Sequence, residues 1–192
     1  DVQWDADMAF EDMINEGVRR GYTHPDNVLR GSVLTDPNGA RENTKDNTPA
    51  VVHTKIVAGD KVEIEVAAKG GGSEAKAKFA MLNPSDSVVD WILSVVPTMG
   101  AGWCPPGILG VGIGGTPEKA MLLAKESLME PLNMHELQAN GASDAAEELR
   151  IELFEKVNAL GIGAQGLGGL TTVLDVKLKE YPTHAANKPV AI

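Results

Sequence analysis

The spacing of apolar residues predicts helices in three parts of the chain. Apolar side chains recur every three or four positions over about 5–20, about 88–96 and about 144–160. Gly21 and Gly161 follow the first and last of these stretches, where glycine commonly ends a helix, and Pro97 interrupts the middle one. A further helix is predicted from Thr116, since Pro117 and an acidic residue follow it.

Strand patterns account for much of the remaining chain. Residues 61–67 alternate apolar and charged side chains, and with 50–57 and a turn at 58–60 they predict a β-hairpin. Shorter strands are predicted near 75–82, 108–113 and 171–178, and 189–192 are typical of the start of another. The mixture predicts an α/β fold, with a mixed β-sheet, flanking α-helices and glycine-rich active-site loops.

The length of 192 residues fits one domain, and we expect residues 1–192 to be a single-domain fragment. A chain that starts at Asp1 without methionine and stops within an apolar run indicates a domain cut from a longer protein. The longest apolar runs are far shorter than about 20 residues, so no signal peptide or membrane span is expected.

Charge and cysteine content exclude several kinds of partner and site. Lys and Arg number 17 against 27 Asp and Glu, and the resulting net charge of −10 disfavours nucleic acid and anionic membrane surfaces. The single cysteine, Cys104, excludes an internal disulfide and a metal site made only of this chain's cysteines. A lone thiol fits a reducing compartment, so we expect a cytoplasmic location.

Glycine is abundant, and its spacing twice matches a dinucleotide-binding motif. The pattern GxGxxG occurs at 110–115 and again at 161–166. The first match lies inside an apolar strand-like run and the second follows a helix, whereas the motif needs a complete strand before its first glycine. We therefore expect neither segment to bind a nicotinamide or flavin cofactor.

Three other positions carry candidate chemistry. Gly70, Gly71 and Gly72 follow a predicted strand, and form either a nest of backbone amides for a carboxylate or phosphate, or a flexible turn. Cys104 lies on a Gly/Pro bend from which a thiolate can reach a metal, although lone cysteines are commonly inert core residues. His184 is either a turn residue or a group for proton transfer and substrate binding.

Four segments in order along the chain resemble those of the class I, iron-sulfur-dependent fumarate hydratases. They are 69–73, 100–107, 161–169 and 181–186. The related two-subunit L-tartrate dehydratases share this module. The resemblance implies an N-terminal or alpha-type module of an enzyme that catalyses the reversible hydration of fumarate to (S)-malate. An L-tartrate dehydratase alpha module is the nearest alternative, and a non-catalytic structural domain is another.

The resemblance also implies a 4Fe-4S cluster held by three cysteines, with one iron open to substrate. Cys104 resembles one of these cysteines, and the other two fall outside residues 1–192. We therefore expect the fragment alone to hold no intact cluster and to be inactive. His184 resembles an active-site histidine, and Gln165 lies in a similar glycine frame, where packing or a hydrogen bond is the only role expected of it.

Substrate contacts and partners follow from the same resemblance. Gly70, Gly71 and Gly72 resemble a segment whose backbone amides hold a substrate carboxylate, and Arg30 resembles an arginine that pairs with the dicarboxylate. Lys69 is a further cation near this segment. A C-terminal domain or beta subunit is expected to close the site, in a homodimeric enzyme, and to dock on an exposed apolar seam.

Overall fold

The computed structural model describes residues 6–192. Contacts divide the chain into two compact units, Asp1–Val62 and Glu63–Ile192. The single-domain assignment of 1–192 stays a prediction. No helix among residues 6–192 is both long enough and apolar enough to cross a bilayer.

The first helix among the described residues is α1, Phe10–Thr23, in the first unit. Acidic residues at its start and Arg20 in its last turn complement the helix dipole. The helix predicted over 5–20 is confirmed, with both ends displaced along the chain, and residue 5 lies outside the described residues. Residues 24–62 form loops, in which the side chain of Asn47 accepts hydrogen bonds from the amides of Ser32 and Val33.

The second unit contains a four-stranded sheet with the order β1-β4-β2-β3. Its strands are β1 Phe79–Leu82, β2 Gly107–Gly114, β3 Val173–Tyr181 and β4 Lys188–Ala191. Strands β2 and β3 run parallel, whereas β4 is antiparallel to both β1 and β2. The predicted fold class, a mixed sheet with flanking helices, is confirmed.

Helices α2 to α6 belong to the same unit. They are α2 Gly71–Ala75, α3 Val88–Val95, α4 Pro117–Ser127, α5 Met134–Asn140 and α6 Ala145–Ala159. Ser87 caps α3 and Asp144 caps α6, each accepting a hydrogen bond from the amide three residues later. Helices α3, α4 and α6 are predicted by the sequence, whereas α2 and α5 are too short for periodicity to reveal.

The chain passes from β2 to the parallel strand β3 through α4, α5 and α6, and α4 packs directly on β2. A Cβ on Gly110 would lie 2.3 Å from the carbonyl oxygen of Ala124, and one on Gly112 would lie 2.0 Å from that of Ala120. Only glycine allows a helix backbone so close to the strand. Helix packing therefore accounts for these glycines of the GxGxxG pattern.

An aliphatic core fills the space between helices and sheet. Ile92 of α3 and Leu153 and Val157 of α6 pack in one cluster with Val111 of β2 and Val176 of β3, and all five side chains are 0% exposed. Complete burial of each contributes about 1.5–3 kcal/mol relative to exposure. This core fixes β2 and β3, whose ends position the loops of the candidate site.

A buried ion cluster links β3 to α5 and α6. The fully buried carboxylate of Asp175 accepts hydrogen bonds from the amides of Asn133 and Met134 at 2.9 and 3.2 Å. It also pairs with Arg150 at 3.3 Å and Lys177 at 3.1 Å. Burial raises the pKa of Asp175, but the hydrogen bond from Asn133 and the two cations outweigh it and hold that pKa below its ordinary value.

The predicted hairpin over 50–67 is wrong. Residues 50–57 and 61–67 contain no strand, and the apolar side chains of Val62, Ile64 and Val66 are 58%, 56% and 78% exposed. A strand persists only where a neighbour pairs with its backbone, and no strand among residues 6–192 pairs with this segment. The alternation of apolar and charged residues therefore indicates that this segment could pair as a strand, but it has no strand partner among residues 6–192.

Candidate active site around Cys104

Cys104 ends a tight turn that leads into β2. Its amide donates a hydrogen bond to the carbonyl oxygen of Ala101 at 2.9 Å. Its φ of 59° is a left-handed value that is uncommon for residues other than glycine, and such strain concentrates at functional sites. Trp103 packs against the core, whereas Cys104 is free and exposed. An accessible thiol on an anchored turn does not fit the inert-core interpretation.

The glycine run lies against this turn. A Cβ on Gly72 would stand 2.1 Å from the carbonyl oxygen of Gly102, so only glycine fits where α2 begins. The carbonyl oxygen of Gly70 accepts hydrogen bonds from Ser73 and Glu74. The amides of Gly70, Gly71 and Gly72 themselves have no acceptor among residues 6–192, as the first turn of a helix requires. These donors are therefore available beside Cys104's turn.

A third segment contacts the turn from the far end of α6. The amide of Gln165 donates a hydrogen bond to the carbonyl oxygen of Pro105 at 2.6 Å. A Cβ on Gly166 would lie 3.2 Å from the Cβ of Ala101, in close contact. Gly163 and Gly166 have φ values of 66° and 73°, which glycine adopts without strain. The side-chain amide of Gln165 donates to the same carbonyl oxygen at 3.4 Å, so Gln165 supports the segment after Cys104 through both its backbone and its side chain.

Four charged side chains surround the glycine run. Lys69 donates a hydrogen bond to Ser73 and lies 3.7 Å from the carboxylate of Glu74. The same carboxylate lies 3.2 Å from the ammonium group of Lys125. The fourth side chain, Lys76, extends along the turn, since a Cβ on Gly102 would stand 2.5 Å from its Cε. Lys69, which with Arg30 is one of the two cations that the sequence indicates for the substrate, thus already has a carboxylate partner.

His184 lies at the other end of the parallel strands. The register pairs Gly107 with Val173 and Gly114 with Tyr181, so Cys104 precedes one end of the β2–β3 pair and His184 follows the other. An eight-residue strand spans about 23 Å at ~3.3 Å per residue. The structure therefore does not bring His184 to Cys104 within one chain, and its active-site role stays a prediction.

The imidazole of His184 stabilises its own loop. Its Nδ1 atom accepts a hydrogen bond from the amide of Ala186 at 3.1 Å, and its carbonyl oxygen accepts one from Asn187. Thr183, one residue earlier, donates to the carbonyl oxygen of Gly115 at 3.0 Å. These contacts are typical of a turn residue, which the sequence analysis gave as the alternative to a role of His184 in proton transfer and substrate binding.

Arg30 belongs to the first unit and is exposed in its loop. Its carbonyl oxygen accepts a hydrogen bond from the hydroxyl of Ser32 at 3.3 Å. The guanidinium group forms no ion pair or hydrogen bond with the residues described, 6–192. Its proposed pairing with a dicarboxylate stays a prediction.

Within residues 6–192 the donor set fits one ligand of a metal cluster, Cys104. Residues 6–192 contain no group of three or more His, Cys, Asp or Glu side chains arranged to hold a metal ion. Cys104 supplies one accessible thiol. Beside it, the indole nitrogen of Trp103 is a buried donor without an acceptor in the described part of the chain.

The sequence does not predict that Lys76 lies beside the cysteine turn or that His184 lies far from it. Both positions depend on contacts between distant parts of the chain. Lys76 is close to Gly102 only because α2 folds against the cysteine turn. The position of His184 depends on the parallel register of β2 and β3, which no local pattern specifies. Gly72 is the available signal for the contact between α2 and the cysteine turn, since a close approach of two backbones commonly requires glycine.

Comparison with known proteins relates the whole chain to one family. Residues 1–192 match the family model described as Fumarate hydratase (Fumerase). The chain is 41% identical over 135 residues to the Putative L(+)-tartrate dehydratase subunit alpha of Methanocaldococcus jannaschii, covering 68% of this chain and 46% of that protein. It is 32% identical over 162 residues to the L(+)-tartrate dehydratase subunit alpha of Escherichia coli strain K12, covering 83% and 52%. The chain spans about half the length of these curated relatives.

Proposed function

Because the chain belongs to the fumarate hydratase (Fumerase) family, we propose that it is part of a hydro-lyase that interconverts fumarate and (S)-malate. One observation carries most of the support: two glycine-rich segments converge on the turn of an exposed cysteine. Backbone amides that lack acceptors and an accessible thiol then share one region of the second unit. Successive backbone amides of this kind bind anions such as a carboxylate.

An L(+)-tartrate dehydratase is the second candidate, and the names of the relatives favour it. Fumarate, malate and tartrate are all four-carbon dicarboxylates, and both reactions add or remove water. The carboxylate-binding groups around Cys104 serve either reaction equally. A structural domain without catalysis is the remaining alternative, and turnover of neither substrate would favour it.

Cys104 is proposed as one ligand of a 4Fe-4S cluster in the complete enzyme. Its exposure and its anchored turn support this role. The remaining cysteine ligands are proposed to lie outside residues 1–192, so the fragment alone is expected to hold no intact cluster. When bound, a cluster with an open iron supplies a Lewis acid that polarises the substrate.

The chain's own groups bind and orient the substrate in this proposal. The amides of Gly70, Gly71 and Gly72 donate hydrogen bonds to one carboxylate. Pairing of the Arg30 guanidinium group with a dicarboxylate rests on the family resemblance alone. Support for the glycines comes from their unpaired amides beside the cysteine turn. The role of His184 in proton transfer rests on the family resemblance alone, because about 23 Å of strand separates it from Cys104.

A C-terminal domain or beta subunit is the proposed partner, and we propose a homodimer of the complete enzyme in the cytoplasm. Both relatives are named as alpha subunits, which supports a separate partner chain. Leu167, in the glycine segment 161–169 that contacts the cysteine turn, is 87% exposed, and Leu170, just after that segment, is 92% exposed. Side chains so apolar and so exposed next to the proposed site fit the seam at which a partner closes it.

An anaerobic assay on the complete enzyme after cluster reconstitution tests the proposal. Fumarate and L-tartrate are followed side by side, with Cys104→Ser as the altered enzyme and Ser94→Ala as a matched surface control. We expect fumarate hydration by the parent and the control, and none by Cys104→Ser. Turnover of L-tartrate alone would move the assignment to the second candidate. Loaded enzyme that converts neither substrate would contradict the hydro-lyase proposal.

A further inference from the structure

Strand β2 is paired on both sides over only part of its length. On one side its pairing with β3 covers all of 107–114. On the other side β4 pairs only with Gly112 and Ile113. No strand among residues 6–192 pairs with this second side over 107–111. We call this stretch the open edge of β2, and it lies next to the turn of Cys104 in the sequence.

The open edge presents backbone groups that have no strand to bond in the described chain. The amide of Gly107 donates to the carbonyl oxygen of Thr172 at 3.2 Å, which marks the side of β3. Successive residues of a strand turn their amide and carbonyl groups to alternate sides, so those of Ile108 and Gly110 point to the open edge. Gly110 is buried, and buried backbone groups are almost always paired in native proteins. The open edge is therefore suited to a further strand.

Strand β4 runs along the side of β2 that contains the open edge. It is antiparallel to β2. It is still paired in the sheet at Ile192, whose amide donates to the carbonyl oxygen of Lys78 and whose carbonyl oxygen accepts from the amide of Lys78, both at 2.9 Å. Its side chains stay packed on both faces, since Ala191 clusters with Ala120 and Ala124 of α4 and Ile192 packs against the aliphatic core. At Ile192 the extended chain is thus directed along the open edge.

The register of β4 defines which positions would meet the open edge. Ala191 pairs with Gly112, and the same register continued sets position 193 opposite Gly110 and position 195 opposite Ile108. Side chains of a strand alternate between faces, so position 195 shares the face of Ile108 and position 194 lies on the other. Ile108 is apolar and 37% exposed, and a neighbouring strand would cover it.

We propose that in the complete protein the segment after Ile192 continues β4 and pairs with the open edge of β2. The relatives are long enough to contain such a segment, because the matches cover only 46% and 52% of their lengths. Position 196 then lies opposite Gly107, three residues after Cys104, so the added strand borders the candidate site. The inference goes beyond the proposed function, since it holds for either substrate.

Two cysteine pairs in the full-length protein test this inference. The first combines Ile108→Cys with a cysteine at position 195, directly opposite, at a separation of about 4.5–5.5 Å that a disulfide can bridge. The control combines Ile108→Cys with a cysteine at position 194, whose side chain points to the other face. After mild oxidation, non-reducing electrophoresis separates single chains from linked chains, and peptide mass mapping identifies the joined cysteines.

We expect the first pair to form a disulfide within one chain, with loss of both introduced thiols, and the control pair to keep its thiols. Chains linked to each other through the first pair would show that the open edge takes a strand from a second copy, which overturns the proposal. An absence of disulfide in the first pair, or equal disulfide formation in both pairs, overturns it as well.

Hydrogen–deuterium exchange of the unaltered full-length protein gives a second readout that needs no variant. The amide of Ile108 should exchange within about tenfold of the rate of Gly112, which is already paired with β4. Exchange of Ile108 more than about tenfold faster than Gly112 would show that the edge stays open, and would contradict the inference. Neither measurement depends on turnover, so this inference and the hydro-lyase proposal can fail separately.

Discussion

Gly72 and Gly102 are in backbone contact, such that a Cβ on Gly72 would stand 2.1 Å from the carbonyl oxygen of Gly102. The contact joins the start of α2 to the turn of Cys104. It requires that Gly72 lack a Cβ, because the group that it meets is a backbone carbonyl of a residue 30 positions later in the sequence. The spacing between the unpaired amides and the thiol depends on this approach.

Gly72→Ala should separate α2 from the cysteine turn, because the new methyl group meets backbone rather than a flexible side chain. We expect kcat/KM of the complete enzyme to fall at least tenfold, with a loss of about 1–3 kcal/mol in stability from overpacking. Enzyme kinetics and denaturant unfolding measure the two effects. Gly17→Ala in α1, where a Cβ meets nothing within 4 Å, is the control. Parental kinetics in Gly72→Ala would contradict the importance of this contact.

Asp175→Asn should strongly destabilise the second unit. The change leaves Arg150 and Lys177 buried without the carboxylate that pairs with both. Breaking a buried ion pair by removing one partner typically costs about 3–5 kcal/mol. Glu152→Gln, which removes an exposed pair with Lys156, should change stability by less than about 1 kcal/mol. Equal losses of stability of the two variants in urea unfolding would show that the buried ion cluster contributes no more to stability than the exposed pair.

Asp46 provides a pH prediction for the first unit. The side-chain hydroxyl and the amide of Thr48 donate to its carboxylate at 2.7 and 3.0 Å, and Arg19 of α1 lies 3.0 Å away. The hydroxyl of Thr48, its amide and Arg19 lower the pKa of Asp46 to about 2. A depressed carboxyl pKa stabilises the folded state above the unfolded pKa of 3.8, and this contribution is lost as the pH falls through about 2.

Carbon-detected NMR titration of the Asp46 carboxyl group measures this directly. We expect a midpoint near pH 2 in the folded protein. Thr48→Val removes the hydroxyl donor and should move the midpoint upward, toward 3.8. A midpoint near 3.8 in the parent would contradict the hydrogen-bonded turn between Asp46 and Thr48.

Local signals predict the helices and mark the glycine segments, because caps, periodicity and left-handed turns depend on neighbouring residues. Ser87 and Asp144 cap the helices that apolar spacing predicts, although the limits of α1 differ from those expected. Strands need partners, and the wrong hairpin over 50–67 shows that alternation alone does not supply one. The same limit applies to β4, whose place between β1 and β2 is set by non-local pairing.

The candidate site divides in the same way. Gly70, Gly71, Gly72 and Cys104 are predicted from their sequence context, and their segments are in contact in the structure. His184 lies beyond the far end of β3 because of the register between β2 and β3, and the residues around His184 do not specify that register. Lys76 lies in no recognised motif, and only the packing of α2 on the cysteine turn brings it into consideration.

The most direct test of the central proposal is the iron content of the complete enzyme after anaerobic reconstitution, measured together with fumarate and L-tartrate turnover. Cys104→Ser is compared with the parent and with Ser94→Ala. We expect the parent and control to bind iron as a cluster and to convert at least one substrate, and Cys104→Ser to lose both. Full iron content and undiminished turnover in Cys104→Ser would contradict the assignment of Cys104 and of the site built around it.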